Sequence, residues 1–139
     1  MDDLGHWEEA LITESVSDGV PFGFIYLITN LTNNKKYIGK KQCLTVKKRP
    51  PLKGKKNKRH ETVETDWKTY TSSSRQLNDD IEELGKSNFK FEILLFCSSK
   101  WQLAYEETKM QFEKEVLLSD EYYNGIINCR IGKRKQTTI

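Results

Sequence analysis

The sequence has few cysteines and no long apolar run, and each absence excludes a class of protein. Its three cysteines, Cys43, Cys97 and Cys129, are odd in number and far apart, which is unlike a disulfide framework or a Cys-x-x-Cys metal site. No apolar run suggests a membrane span, and the acidic opening Met1-Asp2-Asp3 is unlike a signal peptide. We therefore expect an intracellular, cytoplasmic protein without a membrane partner.

Acidic residues are missing from one long stretch, Gly19 to His60, although the net charge of the chain is only +3. Twelve of the 23 Lys and Arg residues lie there: Lys35, Lys36, Lys40, Lys41, Lys47, Lys48, Arg49, Lys53, Lys55, Lys56, Lys58 and Arg59. A second basic cluster closes the chain, namely Arg130, Lys133, Arg134 and Lys135. Such clusters favour salt-sensitive binding of nucleic acid. A solvated basic loop is the alternative.

Hydrophobic periodicity and turn residues predict one domain of the α+β class. The expected elements are a helix in the first fifteen residues with His6 on its surface, a hairpin of strands 23–29 and 36–40, an exposed basic loop 47–60, a helix between Ser74 and Gly85, a strand 90–96 and a helix 100–117. They form a small three-stranded, antiparallel-type sheet with flanking helices. We divide the chain into an N-terminal helical extension (1–20), a main domain (21–128) and a basic C-terminal tail (129–139).

Two tyrosines of the predicted hairpin should share one face of the sheet. Side chains along a strand alternate between faces, and paired positions of an antiparallel hairpin keep a constant sum. A connecting loop of even length makes that sum odd, and positions 26 and 37 also have an odd sum. Tyr26 and Tyr37 should therefore point together from a surface flanked by basic residues.

The hairpin carries a recognisable pair of motifs. Phe24-Ile25-Tyr26 and, ten residues later, Tyr37-Ile38-Gly39 resemble the paired signature of the GIY-YIG nuclease superfamily. Phe24 stands where that signature usually has glycine, and Gly23 lies one place earlier. The resemblance covers roughly residues 22–128. It is to small stand-alone endonucleases of phages or mobile elements, including homing-type enzymes.

This resemblance implies a DNA endonuclease, with a water activated or positioned near the tyrosines, Mg²⁺ or Mn²⁺ on a single glutamate, and an arginine on the phosphate. An isolated phenol has a pKa of about 10, so nearby cations would have to favour its ionised form before it could act as a base. A double-strand cut would call for two sites, for example in a homo-oligomer. The alternative is a catalytically inactive module that binds nucleic acid on the same scaffold.

The resemblance also implies site residues. The metal glutamate should be Glu107, at the edge of an apolar stripe on the last helix, rather than its neighbour Glu106; two solvated helix glutamates are the alternative. Arg59, or else Arg49, is the phosphate-binding arginine, and His60 is a possible proton-transfer partner. Gly39 and Asn124 are supporting residues. The expected DNA-binding residues are Lys40, Lys41, Lys47, Lys48, Lys53, Lys55, Lys56 and Lys58.

Overall fold

The computed structural model describes residues 3–9 and 20–134. The elements in chain order are β1 (Glu8–Glu9), β2 (Gly23–Asn30), β3 (Lys36–Gln42), β4 (Leu44–Arg49), β5 (Arg59–Glu64), α1 (Arg75–Leu84), β6 (Phe89–Cys97) and α2 (Lys100–Glu113). Short 3-10 helices lie at Lys86–Asn88 and Val116–Leu118. The α+β class and the predicted hairpin are confirmed.

The main sheet has four strands in the order β1-β6-β2-β3, rather than the three expected. The additional strand is β1, which pairs parallel to β6 where the sequence predicted a helix. The helix prediction is wrong for residues 3–9, and the rest of it lies outside the described residues. Trp7 gives the physical reason, since it is buried among the rings of Phe24, Tyr26 and Phe91 and donates from Nε1 to the Trp67 carbonyl oxygen, 2.6 Å away. This packing outweighs a helical pattern in a short segment.

The basic stretch forms a hairpin of its own instead of the expected loop 47–60. Strands β4 and β5 pair antiparallel from Leu44↔Glu64 to Arg49↔Arg59 as a separate two-stranded sheet, and only residues 50–58 between them lack strand structure. The predicted exposure is confirmed, because residues 50–62 are all exposed. Strands without a buried face show no alternation of apolar and polar residues, so the sequence pattern could not reveal them.

The two helices cover opposite faces of the main sheet. Ser74 caps α1, which Gly85 ends with a positive φ of 91°, and α1 packs Leu77 on the face that holds Phe24, Tyr26 and Ile28. Ser99 caps α2, which packs Leu103 on the face of Ile25 and Ile38. The expected continuation of α2 to residue 117 is wrong. In the part of the chain that the structure describes, neither helix has the length and apolar character to cross a membrane.

Candidate active site

The two motif tyrosines lie together on one face of the β2–β3 hairpin, as the parity of their positions predicted. Tyr26 pairs with Gly39 and Tyr37 with Ile28, so the tyrosines are diagonal neighbours. Their ring centroids are 6.1 Å apart, with the planes inclined by 28°. Tyr26 is 1% exposed and Tyr37 is half-buried, so Tyr37 is the phenol more open to a ligand.

The phenol ring of Tyr26 lies against Gly39, its partner on the neighbouring strand. A Cβ atom at position 39 would come within 2.5 Å of the Tyr26 hydroxyl oxygen and 2.9 Å of Cε1 of Tyr37. Real Cβ atoms do not approach other atoms that closely. Glycine at this position therefore leaves room for both rings.

Ile38, between Tyr37 and Gly39, is held by two buried side-chain amides. Asn124 accepts a hydrogen bond from the Ile38 N–H at 3.1 Å and donates one to its carbonyl oxygen at 2.8 Å. Gln111 of α2 donates to the same carbonyl oxygen at 2.9 Å. Asn124 is 7% exposed, so its amide makes these contacts inside the protein. The geometry fits the supporting role expected for Asn124 and adds Gln111 to it.

A polar cavity of about 310 Å³ opens beside the tyrosines. It is lined by Tyr26, Tyr37, Lys40, Tyr70, Ser73, Glu107, Ile126 and Asn128. The structure thus brings together four residues that were expected to share a site, from β2, β3 and α2. Sequence reasoning missed Tyr70, Ser73 and Asn128, which stand in irregular segments that periodicity cannot place. A larger cavity of about 530 Å³ lies on the outer side of α2, but apolar side chains dominate it and neither motif tyrosine lines it.

Of the two neighbouring glutamates of α2, Glu107 faces this cavity. Its side chain is only 16% exposed, and the Lys40 ammonium lies 3.9 Å from its Oε1 atom. Burial raises the pKa of Glu107, and the charge of Lys40 opposes that shift. Glu106 does not line the cavity; its charge contributes, after burial, to raising the pKa of the Cys97 thiol to about 12.

The surroundings of both motif phenols raise their pKa. Burial raises the pKa of Tyr26 well above its ordinary value, and the nearby Tyr37, Tyr70 and Glu107 add to the shift. The pKa of Tyr37 is also raised, chiefly by burial, although its hydroxyl lies 3.4 Å from Ser73 Oγ and that hydrogen bond opposes the shift. The surroundings of both phenols therefore favour the neutral form, and the ionised form that a base would require is not favoured by the residues of the cavity.

Arg49, Arg59 and His60, which were expected at the reacting phosphate, do not line this cavity. Nε of Arg49 contacts Oε2 of Glu61 at 2.5 Å, and Nε of Arg59 donates to the Pro50 carbonyl oxygen at 3.2 Å. His60 is exposed on β5 opposite Lys48. All three belong to the β4–β5 hairpin, which pairs with itself instead of folding over the tyrosines.

Another arginine, Arg75, follows a residue of the cavity closely in the sequence and was not among the expected site residues. Arg75 is the first residue of α1, two positions after Ser73 of the cavity, and it is exposed. In the described residues, helix α1 is the first helix after Tyr37-Ile38-Gly39. The signal was present in the sequence, because Ser72-Ser73-Ser74 already predicted where this helix begins.

The lysines expected to bind DNA divide into three groups. Lys40 lines the cavity. Lys41 is engaged within the protein, since its ammonium lies 2.9 Å from Asp66 and 4.2 Å from the centroid of the Tyr70 ring. The remaining six are exposed and have no carboxylate within 4.0 Å in the described ranges: Lys47, Lys48, Lys53, Lys55, Lys56 and Lys58.

The donor atoms of the cavity suit a hard, hydrated cation better than a zinc ion. Within residues 3–9 and 20–134 no three His, Cys, Asp or Glu side chains form a cluster, and Glu107 is the single carboxylate of the cavity. The other polar atoms that line it come from hydroxyl and amide groups and from Lys40. Magnesium binds oxygen, keeps several waters and takes only one or two carboxylates, so these residues fit a magnesium-type ion.

A known protein family matches most of the chain. Residues 7–127 match the family model described as "Putative endonuclease segE, GIY-YIG domain". Neither the curated proteins nor the solved structures compared with the chain include a match. The matched range contains both tyrosine motifs, Glu107 and Asn124. The chain therefore belongs to the segE-type family of GIY-YIG endonuclease domains.

Proposed function

We propose that this protein is a DNA endonuclease that hydrolyses phosphodiester bonds in the cavity of Tyr26, Tyr37, Lys40 and Glu107. One observation carries the proposal: these side chains come from three separate elements and meet in one polar cavity, in a chain of an endonuclease family. The cavity combines a cation, a partly buried carboxylate and neutral phenols, which are the groups needed to bind a phosphate and orient a water molecule.

The first task of the site is to hold the scissile phosphate. Lys40 presents its ammonium at the cavity, where partial burial of the surroundings strengthens attraction to an anion. Arg75 is our candidate for the second cation, since a guanidinium binds phosphate oxygens in a bidentate manner. A cation on those oxygens lowers the cost of the charge that builds up as the bond to the attacking oxygen forms.

The second task is to orient the attacking water. Tyr37, the more accessible phenol, can accept a hydrogen bond from the water or donate one to it, and Tyr26 supports the ring from behind. In the reaction the water oxygen forms a bond to phosphorus, and the bond between phosphorus and the leaving sugar oxygen breaks. The water loses one proton and the leaving sugar oxygen gains one, so the protons balance. A water molecule that is already held in place lowers the entropic part of the activation barrier.

Glu107 would hold the Mg²⁺ or Mn²⁺ ion. When bound, such an ion supplies positive charge to the phosphoryl oxygens. The raised pKa of Glu107 means that its carboxylate gains from a cationic partner more than an exposed glutamate would.

A second candidate function is a module that binds nucleic acid without cutting it. It is favoured by the raised pKa of both phenols and by the finding that, among the residues the structure describes, no arginine lines the cavity. This candidate shares the basic surface of the endonuclease but predicts no change in the covalent state of the DNA.

Cleavage of supercoiled plasmid separates the two candidates. We expect the wild-type protein to cut with Mg²⁺ and not with EDTA, and Glu107→Gln to be about 100-fold slower or worse, because the ion's charge stabilisation amounts to several kcal/mol. Glu106→Gln, one residue away, is the matched control and should cut normally. Equal cutting by both variants would refute the assigned site, whereas salt-sensitive binding without any cutting would favour the binding module.

The described residues bring Tyr37 and Glu107 together in a single cavity, so each binding event should cut one strand. Nicked circles should therefore precede linear DNA at low protein concentration. Linear product that appears without a nicked intermediate would instead indicate an assembly with two sites.

A further inference from the structure

The β4–β5 hairpin, residues 44–64, is the most unusual surface of the molecule and has no part in the cavity. It carries eight Lys and Arg residues but only two acids, Glu61 and Glu64. Four of the lysines stand in its tip, residues 50–58: Lys53, Lys55, Lys56 and Lys58. Val46, Lys47, Lys48 and the whole of residues 50–62 are exposed.

Such a hairpin is costly to maintain for structural reasons alone. An isolated two-stranded sheet is marginally stable in water, and this one has neither a buried face beyond its base nor charge balance at its tip. Mutual repulsion of the lysines adds to that cost. A polyanion lying against the hairpin would remove the repulsion.

We propose that the β4–β5 hairpin is a DNA-docking arm that lies in the major groove beside the bond to be cut. The inference rests on the proposed DNA substrate and adds how the protein grips it. Neighbouring strands lie about 4.8 Å apart, and the major groove of DNA is about 12 Å wide and admits a two-stranded ribbon. The tip lysines would then reach the phosphates that border the groove.

The two faces of the arm differ in what they offer to a groove. Register and alternation place Val46, Lys48, His60 and Thr62 on one face. The opposite face carries Lys47, the Arg49–Glu61 ion pair and Arg59, whose Nε donates to the Pro50 carbonyl oxygen, so most of its charged groups are already engaged within the protein. The first face has free donors on Lys48 and His60, which suit guanine edges, and methyl groups on Val46 and Thr62, which suit thymine. We therefore place that face against the bases.

The base of the arm is tied firmly to the sheet that holds the active site. The Cys43 N–H donates to the Phe22 carbonyl oxygen at 2.7 Å, and the Thr65 N–H donates to the Cys43 carbonyl oxygen at 2.8 Å. The Thr65 hydroxyl also bonds the Gln42 carbonyl oxygen, at 2.7 Å, at the end of β3. Because β3 also bears Tyr37 and Lys40, the arm has a fixed starting point relative to the cavity.

The first test compares two variants of equal net charge. In the tip variant the four tip lysines become glutamine: K53Q, K55Q, K56Q and K58Q. In the control variant four other exposed lysines do: K86Q, K100Q, K109Q and K114Q. Affinity for a labelled duplex is measured against salt concentration in EDTA. Since each phosphate contact contributes about 0.9 to the slope of log K against log salt, the tip variant should lose up to about 3.6, and the control should lose little.

The tip variant should still fold, because its substitutions lie outside both strands. The docking-arm proposal would be refuted if the tip variant kept the wild-type salt slope. It would also be refuted if the slope fell equally in both variants. EDTA prevents metal-dependent cutting, so these results do not depend on cleavage. If the wild-type protein cuts plasmid but the tip variant keeps the wild-type salt slope, the proposed endonuclease function stands and the docking arm is refuted. If the tip variant loses slope but the wild-type protein cuts no DNA, the docking arm stands and the endonuclease function is refuted.

The second test concerns the groove. A cationic dye bound in the major groove should be displaced by the wild-type protein, whereas a minor-groove ligand should stay in place. The double variant Lys48→Ala and His60→Ala should displace less dye and should alter the distribution of cut sites on a random-sequence pool. Displacement of only the minor-groove ligand would overturn the groove assignment.

Discussion

Replacement of Gly39 by alanine should damage the site through a single methyl group. The added Cβ would meet the Tyr26 hydroxyl oxygen at 2.5 Å and its Cζ atom at 2.6 Å. Carbon contacts are comfortable at about 3.5–4.0 Å, so the ring or the strand must shift by roughly 1 Å. Tyr26 cannot swing aside freely, because it is 1% exposed and its ring centroid lies 5.1 Å from that of Trp7.

The expected cost is about 1–3 kcal/mol of the free energy of unfolding, which is the usual range for overpacking. The cleavage rate should fall about 100-fold, since a displacement of about 1 Å in a catalytic group has effects of that order. Urea denaturation and single-turnover cleavage of a labelled duplex measure the two effects. Gly125→Ala is the matched control, because nothing lies within 4 Å of a Cβ atom there. Wild-type stability and rate in Gly39→Ala would refute the packing of Tyr26 across Gly39.

Three further changes have defined outcomes. Asn124→Ala removes both amide contacts to Ile38 and should cost roughly 2–4 kcal/mol in urea denaturation, because a buried N–H loses its partner; an unchanged midpoint would contradict the contacts. Burial, aided by the charge of Lys86, lowers the pKa of His6 from 6.5 to about 4. As the pH falls, the unfolded chain therefore takes up a proton at this histidine before the folded protein does. The free energy of unfolding should decrease between pH 6.5 and pH 4. In His6→Gln that loss should be smaller, and an equal loss would assign it to other groups. The raised pKa of Glu107 should weaken Mg²⁺ binding, as the pH is lowered, at a higher pH than an exposed glutamate would. Cleavage rates measured against pH at subsaturating Mg²⁺ and constant ionic strength would show it, and an acid limb no higher than that of an exposed glutamate would contradict it.

Local rules were sufficient for much of the fold and for half of the cavity. Ser74, Gly85 and Ser99 fix helix ends through short-range hydrogen bonds and backbone geometry, so their roles were readable in the sequence. The shared face of Tyr26 and Tyr37 followed from strand alternation alone. Glu107 was separable from Glu106 because a helix turns by a constant angle per residue.

The remaining features depend on contacts between distant parts of the chain. The region around Trp7 has a helical pattern but becomes strand β1, because its indole is buried against β2 and β6. His6 was expected on a surface, yet it stacks on Phe91 and donates from Nε2 to the Tyr70 carbonyl oxygen. The composition of the basic stretch predicted its exposure, but it did not reveal that strands β4 and β5 pair with each other. For that reason the sequence did not show that Arg49, Arg59 and His60 belong to a hairpin that does not line the cavity.

The measurement that tests the central claim most directly removes one oxygen atom from the cavity. Tyr37→Phe keeps the ring that stacks on Tyr26 and deletes only the hydroxyl, so its effect reports on chemistry rather than packing. Tyr105→Phe is the control, since Tyr105 is exposed on α2 and stacks on Trp101 away from the cavity. Single-turnover cleavage of a labelled duplex with Mg²⁺ should slow by about 100-fold or more in Tyr37→Phe, the scale of proton-transfer and positioning groups, and stay normal in Tyr105→Phe. A wild-type rate in Tyr37→Phe would contradict the assignment of this cavity as the place where DNA is cut.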